Sequence, residues 1–176
     1  RERRTDILES EKLSLDKIQA ELETLKSQID PHFIFNSLNT LSELISDDRE
    51  KALLFNENLA KVYRYILCNR SADLVTVKEE VDFINSYVLL LKIRFENALD
   101  INTKIEAIDL SRYYLPTIAI QTAIENAIKH NQFSDSNPLS ISIELTNDYP
   151  IIANNKNPVR YKTISPGVGL TNLDNR

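Results

Sequence analysis

Glycine is nearly absent from this chain: 176 residues contain only Gly167 and Gly169, two apart. So few glycines in so tight a pair imply a specific backbone need at that point. There is one cysteine, Cys68, which excludes an internal disulfide and suits a reducing compartment. The longest apolar run, "YVLLL" at 87–91, is far too short to span a bilayer, and no signal peptide is visible. Methionine is missing altogether and the chain opens on "RERR", so the expectation is a piece of something longer. No Cys/His cluster has zinc spacing, no His-x-x-Glu-His pattern occurs, and "GVGLTNLD" lacks the GK[ST] of a Walker loop. The net charge of −5 argues against a broad nucleic-acid-binding surface. What is present, at 42% hydrophobic content, suffices for one ordinary core or for a helical module plus a small domain.

Residues 5–30 carry a heptad. Leu8, Leu15, Leu22 and Ile29 fall seven apart, Ile18 and Leu25 occupy the second seam position, and Glu11 interrupts it. That spacing predicts a two-stranded coiled coil; the bland alternative is one amphipathic helix packed on its own domain. Pro31 then interrupts a helical pattern directly before His32, one of two histidines. Continued past it, the seam would run through His32, Asn36, Asn39 and Glu43, all polar. The apolar stripe has moved to Ile34, Leu38, Leu41 and Ile45, so the helix turns a polar stripe headed by His32 outward. After a turn at "SDDRE", Ala52, Phe55, Leu59, Val62 and Ile66 mark a second helix. Such a hairpin cannot bury its stripes alone, and two of them predict a four-helix bundle in a homodimer.

The stretch at 68–76 reads as a boundary. Thr76 and Glu79 form a capping-box pattern opening a helix over 77–95. Ile101, Thr103 and Ile105 alternate as a strand, as do Ile141, Ile143 and Leu145, and 149–154 reads as a third. A helix is expected over 115–131, a mobile loop over the Asn- and Pro-rich residues 154–166, and a last helix after the glycines. Together these predict an α+β fold, the later part a two-layer α+β domain.

Three places could carry chemistry. An imidazole is a nucleophile near neutral pH, and Asn36, four residues on, places its amide over the same helix face as His32. The alternative is an ordinary solvated surface histidine. In "ENAIKHN", Asn126 and His130 share a helix face with Lys129 beside them. An amide oxygen suits Mg²⁺, which takes few protein ligands, and Lys129 and His130 could face phosphates. The alternative is a polar outer face near a helix C-terminus, where Lys and His favour the dipole. Third, Gly167 and Gly169 before a helix start would let phosphates approach the backbone, though glycines also serve turns generally. The acid pairs Asp47/Asp48 and Glu79/Glu80 sit at helix starts and read as structural caps.

With those residues in view, the chain resembles the sensor histidine kinases of the LytS-like branch over about residues 20–176. "LKSQIDPHFIFNSLN" is similar to the family's phosphoacceptor box, "VYRYIL" and "YVLLLKIRFENAL" to later boxes, "LPTIAIQTAIENAIKHN" to the nucleotide-binding N box, and "GVGLTNLDNR" to the second glycine box. The resemblance implies that His32 accepts the γ-phosphoryl group of ATP and passes it to an aspartate of a response regulator. It implies that Asn126 holds Mg²⁺, that Lys129, His130, Gly167 and Gly169 bind the triphosphate, and that Glu125 polarises the reaction. It implies a coiled coil at 1–30, a phosphotransfer hairpin at 31–72 and an ATP-binding domain of the gyrase-type (Bergerat) sandwich at 75–176. The homodimer would be the cytoplasmic portion of an inner-membrane sensor, with DNA-binding regulators of the LytTR type among its partners. Where the family's first glycine box belongs stands "IIANNKNPV", with Asn154 in place of the adenine-reading Asp. Phe33 follows the phosphoacceptor where many kinases have an acid, leaving Asp30 as the nearest proton acceptor. Two other readings stay open: a degenerate kinase kept as a dimeric scaffold, and a phosphatase that uses Asn36 to direct water onto a regulator's phospho-aspartate.

Overall fold

The computed structural model describes residues 31–69, 71–106, 109–146 and 150–158. The chain divides into two compact units, one through Ser42 and one from Glu43 onward. The heptad, Gly167 and Gly169 lie outside the described residues, and Pro31 stands at their edge.

Helix α1, Pro31–Asp47, crosses the division. Its expected stripe is only partly covered: Leu38 is 50% and Ile45 65% exposed, while Ile34 and Leu41 are half-buried. Phe35, on the same helix, is also exposed.

In the second unit, α2 (Arg49–Cys68) starts where the turn chemistry requires. The Asp48 carboxylate accepts from the Lys51 backbone N–H at 3.0 Å, which satisfies one of the four N–H groups a helix start leaves without partners. All five residues of its stripe, Ala52, Phe55, Leu59, Val62 and Ile66, are buried. Sequence periodicity pointed to a second copy as their cover, but the single chain already buries them. Helix α3, Val77–Phe95, packs along α2. There Tyr65 stacks on Phe83 with ring centroids 4.2 Å apart, and Phe83 continues to Tyr87. The capping box forms as expected: Thr76 Oγ1 accepts from Glu79 N, and the Glu79 carboxylate accepts from Thr76 N. Two further N–H groups of the first turn, of Val77 and Lys78, donate to the carbonyls of Tyr113 and Leu110.

Strand β1 (Leu74–Thr76) pairs antiparallel with β3 (Tyr114–Pro116). This ribbon corrects the helix expected from residue 115: α4 runs only over Ala119–His130. Pro116 lacks an N–H and restricts the residue before it to extended backbone, so the segment pairs as a strand. The chain then turns through Ile118 at φ 65° into the helix.

The main sheet has the order β2 (Leu99–Ile105), β4 (Leu139–Leu145), β5 (Pro150–Asn154). β2 and β4 are parallel, which requires a crossover, and α4 lies within it. β4 and β5 are antiparallel neighbours. One face buries Leu99, Ile101, Leu139, Ile141, Ile143 and Leu145, while Ser140 and Ser142 point to the exposed face. α3 and α4 cover the apolar face with Leu90, Leu91, Ile120, Ile124 and Ala127. Burying each such Leu or Ile is worth about 1.5–3 kcal/mol. The architecture is α+β, with helices on one face of a small mixed sheet.

Candidate functional site

In the first unit, His32 is exposed on α1 and Asn36 is half-buried one turn on. The Asn36 amide nitrogen lies 3.0 Å from His32 Nδ1 and 3.2 Å from Nε2. An atom nearly equidistant from both ring nitrogens at this range cannot lie in the ring plane without overlapping the carbon between them. The amide therefore sits over the face of the imidazole. Asn36 thus steadies the ring from its face. The i, i+4 spacing alone brings the pair together.

In the second unit, α4 carries Glu125, Asn126, Lys129 and His130. Its apolar side (Ile120, Ile124 and Ala127) is buried, which fixes the direction of the polar side. Lys129 and His130 are exposed in the last turn, Glu125 and Asn126 half-buried in the middle. Glu125 is held from two elements: one carboxylate oxygen accepts from Gln121 Nε2 at 2.7 Å and from the Tyr87 hydroxyl at 3.1 Å. Asn126 Nδ2 is buried with no hydrogen-bond partner. A buried amide left this way costs about 1–3 kcal/mol, so the position calls for a ligand or a water. As placed it offers a donor to a phosphate oxygen; turned over, the amide offers its oxygen to a cation. Among the described residues no cluster of three His, Cys, Asp or Glu side chains could hold a metal. A cation here would bring most of its ligands as phosphates and waters, which suits Mg²⁺.

Asn154 is exposed at the end of β5, paired with Ile141. Its Nδ2 donates to the carbonyl of Asn155 at 2.6 Å, which sets the amide so that Oδ1 is the end left to accept from a ligand's amino group. The residues after it are stitched by amides rather than by a glycine turn. Asn155 accepts from Ser140 N and donates to the Pro138 carbonyl. Asn157 N donates to Asn131 Oδ1 at 2.8 Å, and Gln132 N to the Asn157 carbonyl at 2.7 Å. The segment expected as a mobile loop is thus tied, through residue 158, to the end of α4.

Beneath α4 lies a residue the acid-pair reading misplaced. Asp48 and Glu79 are caps of their own helices, but Glu80 points inward and is 0% exposed. Its carboxylate accepts from the Ile118 and Ile120 N–H groups, each at 3.2 Å, and from the Tyr65 hydroxyl at 2.7 Å. Desolvation raises its pKa above the ordinary carboxylate value, against the lowering effect of these hydrogen bonds. Desolvation and the neighbouring carboxylate likewise raise the Tyr65 phenol. Tyr65, Tyr87 and Gln121 were not singled out by sequence. Gln121 stands four before Glu125, a spacing that could have marked it; the two tyrosines carry no local signal.

Comparison with known proteins extends these observations. The family described as histidine kinase matches residues 20–99. The sensor histidine kinase BtsS of Escherichia coli (strain K12) is 32% identical over 162 residues, covering 90% of this chain and 28% of the relative. The sensor protein LytS of Staphylococcus epidermidis is 28% identical over 173 residues, 89% of this chain and 29% of the relative. LytS of Enterococcus faecalis is 35% identical over 112 residues, 64% of this chain and 19% of the relative. The chain thus spans less than a third of the length of these curated relatives.

Proposed function

This chain belongs to the LytS-like sensor histidine kinases, and we propose that it carries the phosphotransfer and nucleotide-binding parts of a two-component sensor, with His32 as phosphoacceptor. The observation that carries the reading is the exposed His32 imidazole with the Asn36 amide over its face. ATP with Mg²⁺, when bound, supplies the γ-phosphoryl group. A His32 ring nitrogen forms the P–N bond as the bond to the leaving ADP oxygen breaks, and an aspartate of a response regulator then takes the group. Phosphoryl transfer needs mainly positioning and charge neutralisation, so no elaborate triad is required. Lys129 supplies charge and His130 a ring hydrogen bond toward the triphosphate, Asn126 offers its amide to the phosphate–Mg²⁺ assembly, and Gly167 and Gly169 complete the phosphate cradle. Asn154 accepts from the adenine amino group through Oδ1. Glu125, steadied by Gln121 and Tyr87, is oriented to polarise the reaction. Residues 31–72 act as the phosphotransfer module and 75–176 as a Bergerat-type ATP domain, in a homodimer on the cytoplasmic side of an inner-membrane sensor, with LytTR-type regulators as partners.

The Asn36 geometry also favours a second activity, directing water onto a regulator's phospho-aspartate. Labelled ATP with Mg²⁺ on the full-length protein tests the first reading. The expected product is acid-labile, base-stable label that vanishes in His32→Ala; a folded dimer that takes no label would sink it and leave the scaffold reading. Asn36→Ala separates the second, losing dephosphorylation while keeping His32 label.

A further inference from the structure

The carboxylate of Glu80 joins three helices at one buried point. Helix α4 begins without a side-chain cap, because Ile118 stands at the N-cap position in a left-handed conformation and has no polar atom to offer. A β-branched residue at φ 65° is disfavoured, so the turn persists only if its surroundings hold it. Glu80, from the first turns of α3, supplies the missing cap from the neighbouring helix, taking the N–H groups of Ile118 and Ile120. A negative group there also meets the positive end of the α4 dipole. The third bond to the same carboxylate comes from Tyr65, near the end of α2 and fifteen residues before Glu80. Thr117 adds a tie just ahead of the helix, its N–H donating to the Asp73 carbonyl and its hydroxyl to that of Ala72.

We infer that Glu80 is the positioning residue of the α4 helix, and that the Tyr65 hydroxyl is the contact through which α2 acts on that helix. The functional meaning rests on the proposed reading of α4 as the nucleotide helix; the physical link does not. A shift of α2 that lengthens the Tyr65–Glu80 bond leaves the buried carboxylate with one fewer donor. The remaining bonds to Ile118 and Ile120 must then readjust, and the helix carrying Glu125, Asn126, Lys129 and His130 moves or loosens at its start. By linkage, a ligand that orders α4 strengthens the same contact and is felt in α2.

Backbone amide hydrogen exchange on the full-length protein tests this without relying on activity. Tyr65→Phe removes one hydroxyl and keeps the ring on Phe83, so the fold survives even if Glu80→Gln proves damaging. Both variants should speed exchange in the first turn of α4, residues 120–123, roughly tenfold, the scale of one lost hydrogen bond to a charged group. The middle of α2 should be unchanged in Tyr65→Phe. Unchanged exchange in α4 in folded Tyr65→Phe overturns the link to α2; loosening in Glu80→Gln alone would reduce Glu80 to a cap. ATP–Mg²⁺ affinity is measured on the same proteins. If the wild type binds no nucleotide, the kinase reading fails while the exchange result still decides the link. If it binds, Tyr65→Phe and Glu80→Gln should each weaken binding and the double variant should be no worse than Glu80→Gln, because Tyr65 acts through Glu80.

Discussion

Two neighbouring carboxylates, Glu79 and Glu80, respond to pH with opposite sign because one faces solvent and the other is sealed in. Hydrogen bonds from the Thr76 side chain and then its backbone lower the pKa of Glu79 below its ordinary 4.5. Its contribution to stability is therefore present above that value and is lost as pH falls through the lowered one. Desolvation raises Glu80 above 4.5. Between 4.5 and its raised value the native state holds a proton that the unfolded state does not, so stability falls as pH rises through that window. Thermal melts across pH 4–8 should show wild type losing ground to Glu80→Gln as pH rises. The gap between wild type and Thr76→Ala should instead close as pH falls below about 4.5. At the candidate site, Tyr87→Phe removes one of the two donors to Glu125. If the chain is the kinase proposed above, removing a bond worth about 0.5–1.5 kcal/mol should slow autophosphorylation by up to about tenfold. Nucleotide affinity should hardly change, which a direct binding titration beside the rate would show.

Each helix of the second unit starts by a different device. α2 is capped by Asp48, α3 by the Thr76–Glu79 box, and α4 by a carboxylate from another helix. The first two are local: the capping residue stands immediately before the helix it caps. Thr76→Ala should cost about 1 kcal/mol of unfolding free energy at pH 7, measured by urea titration. The third device is not local, and this is why a sequence reading ran α4 back to residue 115 while the chain there forms β3. The stripes of α2 and α4 were visible as periodic apolar positions. The element that covers each stripe was not, because periodicity records that a face is buried without saying what buries it.

For the whole molecule, the question is which apolar surface remains for a second copy. With its stripe covered, α2 still exposes Leu53, Leu54 and Leu67, at 57%, 42% and 55%. Leu53 and Leu67, fourteen residues apart, fall on one side of the helix. A homodimer that uses this face should dissociate in the double variant Leu53→Lys, Leu67→Lys. Sedimentation would then show monomer with an unchanged far-ultraviolet spectrum; a persistent dimer would place the interface elsewhere. No helix among the described residues is long and apolar enough to cross a membrane.

The amino-acid sequence by itself determined the local features: where helices start at Asp48 and Thr76, which positions of α2 and β4 turn inward, and that His32 and Asn36 share a face. These follow from side-chain chemistry and from periods of 3.6 and 2.0 residues, which act over one or two turns. Only the tertiary structure decided that Glu80 leaves its own helix start to cap α4, that Tyr65 reaches it from α2, and that Tyr87 holds Glu125 from 38 residues away. These partners meet because packing the apolar faces brings distant polar groups together out of water. A buried polar group must then bond with whatever donor the packing supplies, wherever in the chain it arises.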